Sequence, residues 1–282
     1  PITWWRNGDS GIFNDDSNWE IPDQLKIDNF SSHSFNFDGV DDYVSMGDVL
    51  SLERTDAFSL SIWLNPAQVG SGAFFTLLGK MQNSGDYRGY SLFQNLDDIY
   101  FSFNNTLSKL INIRAANVLT IGTWTHAVLT YDGTSLNTGL NLYINGSAAT
   151  VTRGSTGTLD ATTISTAILN NGRRDGVGDA YSGKLDESAI WDVELDANTV
   201  ASIYNSGAPN DLRLGASYTA GSGVDKSGDL VGYWIYDDAT FSTNWTVPDL
   251  STNSNNGTSS GMDEEDKINN APGNSSQGLS SG

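Results

Sequence analysis

Apolar and polar residues alternate with a period of two along most of the chain between residues 34 and 169, which is typical of β-strands. The run from Phe58 to Leu64 shows the pattern clearly, and Pro66 ends it. Short strands at even spacing, separated by Gly, Asn and Asp, predict an all-β antiparallel two-sheet β-sandwich. Further strands are predicted at residues 73–81, 89–96, 99–103, 110–114, 123–131, 140–144 and 158–169.

An acidic turn interrupts the strand pattern within residues 34–47. Asp38 and Gly39 form the turn, because glycine adopts a positive φ without steric cost. Asp41 and Asp42 follow at once, so three carboxylates lie within five residues. Their mutual repulsion requires compensation, and oxygen-rich groups of this kind suit a hard cation such as calcium. A solvated acidic surface loop is the alternative interpretation.

A second acidic stretch lies within the predicted strand at residues 181–195. Asp186 and Glu187 are neighbours among apolar residues there, which is costly unless the acids are paired or coordinated. Regular alternation would place their side chains on opposite faces of the strand. A short helix follows, with Asp196 as its N-cap and Gly207 as its C-terminal signal. The two acidic stretches are predicted to meet if the sheet closes on itself.

Five segments carry a family resemblance, and they occur in a diagnostic order: FDGVDDYV, FSLSIWLNP, GTWTHAVLTYDG, LNLYINGS and GKLDESAIWDVELDANTVASIYNSG. Over residues 35–207 the chain resembles the laminin-G-like, concanavalin A-like jelly-roll domains found in marine phage and bacterial surface proteins. One hairpin departs from the family pattern, with Asn145-Gly146 where Asp-Gly is usual. Asn-Gly suits the same type I′ turn.

The resemblance implies an antiparallel β-sandwich that binds glycans or proteins, and in many members a structural calcium ion. The family's acidic positions correspond here to Asp38, to Asp41 or Asp42, and to Asp186 or Glu187. The expected cofactor is therefore calcium, with the choice within each pair left open.

An aromatic segment near the start of the chain is repeated near its end. The two copies align Trp5 with Trp234, Phe13 with Phe241, Trp19 with Trp245 and three further positions. The predicted organisation is a sandwich at residues 1–207, with its core at 35–207 and a lead-in at 1–34. A linker at 208–229 and a partial second unit at 230–282 with an extended C-terminal arm follow. Residues 251–282 are almost wholly polar, so they would need another surface, such as a neighbouring subunit, in order to fold.

Composition narrows the possible partners. The chain has 14 basic and 34 acidic residues and a formal net charge of −20, which disfavours nucleic acid and anionic membranes. It contains no cysteine and therefore no disulfide or thiolate metal site. No apolar run approaches the ~20 residues of a membrane span. Since the chain starts at proline, we expect a processed product or a segment of a longer protein.

The sequence offers little for catalysis. The glycosidases of the resembled fold usually carry a Glu-x-Asp-x-x-Glu strand, and this string is absent. His33 is expected to be solvated, and His126 is expected to be packed and hydrogen-bonded within its strand. No site residues of an enzyme are therefore predicted.

The candidate ligand-binding residues lie in two polar loops. Tyr87, Arg88 and Tyr90 belong to QNSGDYRGY, and Arg173 and Arg174 belong to NNGRRDGVGD. Exposed aromatic rings beside polar groups suit sugar binding. The alternatives are that the tyrosines pack in the core and that the arginines anchor nearby acids.

We therefore expect a non-catalytic structural or adhesive module of a virion or extracellular fibre, located on a virion or outside the cell. Its partners would be copies of itself, other structural subunits, or surface glycans, with no nucleic acid and no membrane insertion. A free-standing carbohydrate-binding lectin module is the alternative.

Overall fold

The structure, a computed structural model, describes residues 31–69, 72–154, 157–176 and 180–273, and the backbone of short strands at 12–13 and 19–20. None of the helices in these ranges is long and apolar enough to cross a membrane. The strands and the helix are, in chain order, β1 (Ile12–Phe13), β2 (Trp19–Glu20), β3 (Ser34–Asp38), β4 (Tyr43–Gly47), β5 (Phe58–Pro66), β6 (Phe75–Met81), β7 (Gly89–Asn95), β8 (Asp98–Thr106), β9 (Lys109–Ala115), β10 (Thr125–Tyr131), β11 (Leu140–Ile144), β12 (Ser147–Ala148), β13 (Val151–Arg153), β14 (Leu169–Asn171), β15 (Ser182–Trp191), α1 (Ala197–Tyr204), β16 (Leu230–Trp234), β17 (Thr240–Phe241), β18 (Trp245–Val247), β19 (Gly257–Ser260) and β20 (Lys267–Ile268). Short 3-10 turns lie at Asn137–Gly139, Asn205–Gly207, Gly215–Ser217, Ser227–Asp229 and Glu264–Asp266.

Two antiparallel sheets form the sandwich, as the strand pattern predicts. The first has eight strands in the order β12-β11-β10-β5-β15-β3-β20, and β16 also pairs with β15. The second has ten strands in the order β13-β9-β8-β7-β6-β14-β4-β19-β18-β17. The main core lies between the sheets and contains the inward residues of both, among them Phe58, Leu92 and Phe103.

A second apolar layer covers the outer face of the eight-stranded sheet. Helix α1 packs there through Val200 and Ile203, next to Trp191 of β15. The Asp196 side chain caps the helix by accepting a hydrogen bond from the Thr199 backbone N–H at 2.8 Å. The helix ends at Tyr204, followed by a 3-10 turn to Gly207, so the glycine signal lies three residues beyond the α-helix.

Residues 208–229 differ from the predicted linker, because they belong to this outer layer. Leu212 and Tyr218 are buried in the same cluster as Trp191. The Tyr218 hydroxyl accepts a hydrogen bond from the Trp191 indole at 3.1 Å and donates one to the Leu212 carbonyl at 2.7 Å. Leu212 and Tyr218 therefore anchor to the sheet a segment that is rich in glycine, serine and alanine.

The segment from residue 230 onward differs from the predicted partial second unit. β16 pairs with β15, β19 pairs with β4, and β20 pairs with β3. The segment therefore supplies strands to both sheets of the one sandwich. The polar stretch after residue 251 packs on its own domain up to residue 273. It has few apolar residues to bury, and backbone hydrogen bonds with β3 and β4 hold it there instead.

The two copies of the aromatic repeat form similar hairpins. β1 pairs with β2 through Phe13 and Trp19, and β17 pairs with β18 through Phe241 and Trp245. Each pair joins the two aromatic positions that the sequence repeat aligns. The other positions of the first copy lie outside the described residues.

Candidate functional site

An aromatic depression lies on the outer face of the ten-stranded sheet. Along β7 and β8, Tyr90, Leu92, Phe101 and Phe103 are directed to the core. The alternate residues therefore point outward. The depression has a volume of about 300 Å3 and is lined by Phe74, Met81, Tyr87, Phe93, Tyr100, Phe101, Ser102, Asn104, Asn112 and Arg174.

Aromatic side chains build one wall of this depression. The Phe74 ring lies edge-on to Tyr100, with centroids 5.3 Å apart, and edge-on to Phe93 at 5.8 Å. The Arg114 guanidinium lies 5.4 Å from the centroid of the Tyr100 ring. Phe74 is 44% exposed, so its ring offers an apolar surface to a ligand.

Tyr87 and Arg174 also line the depression. Tyr87 has a φ of 49°, a left-handed conformation that is uncommon outside glycine and orients its side chain from a tight turn. The Arg174 guanidinium lies 5.3 Å from the centroid of the Tyr87 ring. The structure therefore brings together two of the predicted ligand residues that are far apart in sequence.

A polar depression of about 230 Å3 adjoins the aromatic depression and shares Arg174 with it. The Arg173 guanidinium lies 5.5 Å from the centroid of the Tyr43 ring. Asn170 is 3% exposed, and its Oδ1 atom has no hydrogen-bond partner. The polar depression is lined by Tyr43, Ser45, Ile168, Asn170, Arg173, Arg174, Asp175 and Gly176.

Two of the predicted ligand residues have other roles. Tyr90 is 1% exposed within the core, and its hydroxyl donates to the Leu50 carbonyl at 2.8 Å. The prediction for Tyr90 was wrong because its position in β7 points inward. The Arg88 Nε donates to the Asn105 carbonyl at 3.1 Å, and its Nη2 donates to Asp86 at 3.4 Å. Arg88 therefore anchors its loop.

Several lining residues were missed by the sequence analysis, namely Phe74, Phe93, Tyr100, Asn104, Asn112 and Asn170. The signal for part of this set was available: Phe93 and Tyr100 alternate with core residues, and this predicts an outward position. Asn170 reaches the polar depression because β14 lies between β4 and β6. Alternation predicts strands but does not specify their order in a sheet.

The acidic turn after β3 is compact. One carboxylate oxygen from each of Asp38, Asp41 and Asp42 lies within 4.8 Å of the others. Asp42 is 2% exposed and accepts a hydrogen bond from the Asp38 backbone N–H at 2.8 Å. Burial raises the pKa of Asp42 to about 7, and the charges of Asp38, Asp266 and Asp41 add to the effect. This all-oxygen donor set fits calcium.

Asp266 is an acid beside this cluster that the sequence analysis did not assign. It belongs to the 3-10 turn Glu264–Asp266, and its carboxylate accepts from the Asp263 backbone N–H at 2.7 Å. Its charge raises the pKa of Asp42, which places it near the cluster.

Asp186 and Glu187 do not join the acidic turn. β3 and β15 pair in the register that places Asp38 opposite Ser182. Asp186 lies four residues further along β15, at about 13 Å for a rise of about 3.3 Å per residue. The predicted calcium site that joined the two acidic stretches was therefore wrong, because the register separates them.

Asp186 and Glu187 are buried groups with hydrogen-bond partners inside the protein. Asp186 accepts from the Ser31 hydroxyl and from the Tyr236 backbone N–H, and Glu187 accepts from the Tyr233 hydroxyl. Burial raises the pKa of Asp186 to about 8. Burial is the main cause that raises the pKa of Glu187, and the charge of Asp186 is the second.

The side chains of Asp186 and Glu187 also do not follow the regular alternation between the two faces of the strand that the sequence predicts. A β-bulge lies between Asp186 and Ala189 in the pairing with β5, and Glu187 has a φ of 53°. The bulge adds a residue and breaks the period of two. The two carboxyl groups are consequently electrostatic neighbours.

The two histidines have structural contacts. His126 is 2% exposed, its Nε2 lies 2.8 Å from the Ser61 hydroxyl, and its ring stacks on Trp63. Burial lowers the pKa of His126 to about 3, so the ring is neutral. The packed, hydrogen-bonded arrangement matches the prediction for His126. His33, expected to be solvated, lies with its Nδ1 3.1 Å from Asp237.

Comparisons with known proteins support the fold assignment. A family model described as the concanavalin A-like lectin/glucanases superfamily matches residues 38–201, which is more than half of the 282 residues. A search of curated proteins finds no match.

Solved structures similar to this chain include a Bacteroides ovatus protein to which carbohydrate binding is ascribed. It is 20% identical with a TM-score of 0.56, and the match covers 86% of this chain and 61% of that protein. The chain thus spans less than two thirds of the Bacteroides protein. The heptameric SAP-like pentraxin of Limulus polyphemus is 13% identical, with a TM-score of 0.48 over 79% of this chain and 97% of the pentraxin.

The similarity to the Bacteroides protein shows the fold, and the family model matches the sequence itself over strands of both sheets. The chain belongs to the concanavalin A-like lectin/glucanases superfamily.

Proposed function

We propose that this chain is a non-catalytic glycan-binding module that binds sugar in the aromatic depression. The observation that carries the proposal is the exposed Phe74 ring, which lies edge-on to Tyr100 and lines the same depression as Tyr87. Sugar rings pack their C–H faces on aromatic rings while their hydroxyl groups bind polar side chains. Asn104 and Asn112 line the same depression and supply amide donors and acceptors.

The placement of carboxyl groups supports binding rather than hydrolysis. Glycoside hydrolysis requires two carboxyl groups about 5–9.5 Å apart on either side of the scissile bond. Among the described residues, none of those that line the aromatic depression is acidic, and the polar depression has Asp175 alone. Asp186 and Glu187 are buried away from both depressions.

The test of this function measures binding of the purified chain to a glycan array, followed by calorimetry with the oligosaccharides that bind. We expect Phe74→Ala to weaken binding at least about tenfold, since about 1.4 kcal/mol corresponds to a factor of ten. Leu214→Ala is the matched control, because Leu214 is an exposed apolar residue at 56% in the outer layer of the other sheet. Equal losses in both variants, or release of reducing ends from a bound polysaccharide, would contradict the proposal.

The acidic turn is proposed to hold a structural calcium ion through Asp38, Asp41 and Asp42. Support comes from the three converging carboxylates, because a cation would relieve the repulsion among them. The ion would fix the turn between β3 and β4, at the start of the ladder with β15. It takes no part in sugar binding in this proposal.

The location and assembly of the protein belong to the same proposal. A glycan-binding module without cysteine fits the surface of a bacterium or a virion, where it would attach a larger protein to sugar chains. Self-association in a fibre, the other role expected from the sequence, predicts a sedimentation coefficient that rises with protein concentration. A constant value would restrict the role to glycan attachment.

A further inference from the structure

Arg174 occupies the junction of the two depressions. It is among the residues that line both of them, and its guanidinium lies over the Tyr87 ring. Its Nε atom is enclosed and has no hydrogen-bond partner.

Three other arginines of the described structure, Arg88, Arg114 and Arg213, are paired with acids, whereas Arg54 and Arg153 donate to a serine hydroxyl and to backbone carbonyls. The Arg114 side chain lies 2.6 Å from Asp98, and the Arg213 side chain lies 2.8 Å from Asp211. In the parts of the chain that the structure describes, no carboxylate lies within 4 Å of the Arg174 side-chain nitrogens. This is notable in a chain with 34 acidic residues against 14 basic ones.

A partly enclosed guanidinium that no described carboxylate contacts presents its N–H donors in a fork that matches two oxygens of an oxyanion. A carboxylate or sulfate group that approached from the aromatic depression would accept two of them at once. The stack on Tyr87 limits the rotamers of the side chain, so less conformational entropy is lost when an anion binds.

The polar depression sets the direction in which such a ligand extends. The buried Asn170 side chain lines it, and its Oδ1 atom, without a partner, is suited to accept a hydrogen bond from a sugar hydroxyl. Asp175 also lines this depression, where it accepts from the Ile168 backbone N–H at 3.3 Å. Its negative charge would repel a second acid group, so neutral hydroxyl groups suit that end.

From these contacts we infer that the glycan is anionic, with a carboxylate or sulfate group bound by Arg174 and sugar rings in the two adjoining depressions. The inference rests on the proposed glycan-binding function and narrows its ligand class. At about 300 and 230 Å3, each depression is at or below the lower limit for a complete ligand pocket. A chain of at least two sugar units would use both.

The experiment compares glycans that differ only in charge. Oligogalacturonate is paired with its methyl ester, and sulfated carrageenan oligosaccharide is paired with its desulfated form, each measured by calorimetry. We expect at least one charged form to bind tenfold or more tightly than its neutral partner. The pair that shows the preference distinguishes a carboxylate from a sulfate.

Arg174→Gln tests the assigned residue. We expect this variant to bind the charged form no more tightly than the neutral form and to keep its affinity for the neutral form. Arg213→Gln is the matched control, since Arg213 pairs with Asp211 in the outer layer of the other sheet, and it should keep the preference. A circular dichroism melt of each variant confirms that it is folded.

Three results would overturn the inference. The first is equal or tighter binding of the neutral forms, and the second is an equal loss of charge preference in Arg174→Gln and Arg213→Gln. In both cases, binding that is still lost in Phe74→Ala leaves the proposed glycan-binding function intact. The third is no binding of any charged or neutral glycan, in these pairs and on the array, and it would overturn the function as well.

Discussion

Asp186 is an acid wholly enclosed in the protein, and burial decides its protonation. Its oxygens accept hydrogen bonds from the Ser31 hydroxyl and the Tyr236 backbone N–H. Burial and the nearby charge of Asp237 raise its pKa from 3.8 to about 8. The folded protein therefore carries a proton on Asp186 at neutral pH that the unfolded chain lacks.

This proton makes stability depend on pH. Where the native state binds more protons than the unfolded state, the free energy of unfolding falls as pH rises. For Asp186 this contribution is fully present below about pH 4 and is lost as pH rises toward 8. We expect Asp186→Asn to flatten this part of the slope, because asparagine keeps the shape and carries no titrating proton.

Urea unfolding at pH 5 and pH 8.5 measures this effect. At pH 5 the variant should lie within about 1 kcal/mol of wild type, since the amide can accept from Tyr236 and donate to Ser31. At pH 8.5 it should be the more stable of the two. The exposed Asp192→Asn is the control, and an unchanged slope in Asp186→Asn would show that Asp186 is already ionised.

Asp42 tests the proposed calcium site. Calcium that binds only the native state raises the melting temperature by mass action, with about 2.7 kcal/mol expected at about one hundred times its Kd. We expect this rise in wild type and its loss in Asp42→Asn, whereas Asp192→Asn should keep it. The rise should also shrink below about pH 7, because protons compete for Asp42. An equal rise in both variants would rule out this cluster as the ligand.

At the scale of elements, the C-terminal strands close the sandwich. Tyr236 stacks on Phe35 with ring centroids 4.1 Å apart, and Trp245 packs on the same ring at 5.1 Å. β19 and β20 add backbone pairing along β4 and β3. The segment is therefore part of the core that the first strands of the sandwich need.

A truncation distinguishes this arrangement from the predicted linker and second unit. We expect a chain that ends at residue 229 to lack a cooperative thermal transition. Loss of a buried Phe or Trp side chain alone costs about 3–5 kcal/mol, against a usual total of about 5–15 kcal/mol. A chain that ends at residue 273 is the control and keeps the described contacts. Matching melts for both chains would support the boundary predicted from the sequence.

Local patterns predict the elements of this fold better than their partners. Alternation in runs such as Phe58 to Leu64 predicts strands and an inward face, and the structure has both. Tyr90 was predicted as a ligand residue because it belongs to a polar loop motif. Its place in the alternation of β7, which directs it to the core, was not considered. The separation of Asp186 from Asp38 depends on the register of the strand pairing, and the closeness of Asp186 and Glu187 depends on a β-bulge. No local pattern specifies either feature.

At the scale of the whole molecule, charge is distributed unevenly. The net charge is −20, yet Arg114, Arg173 and Arg174 lie on the outer face of one sheet, next to Tyr100, Tyr43 and Tyr87 respectively. This face therefore presents three cationic groups beside aromatic rings, against the negative net charge of the chain. The net charge of the chain would repel an anionic ligand at long range, while the arginines would attract it locally. Added salt screens the long-range repulsion first.

The pairing of β20 with β3 joins residues 267–268 to residues 34–35. A ribosome releases the chain from its N-terminus, so β3 emerges long before the strand that lies at its edge. Folding rates fall as contacting residues lie further apart in sequence, because loop closure precedes the gain from contact. The nascent chain must therefore keep one edge of β3 unpaired until β20 has been synthesised, and it is most exposed to aggregation during this interval.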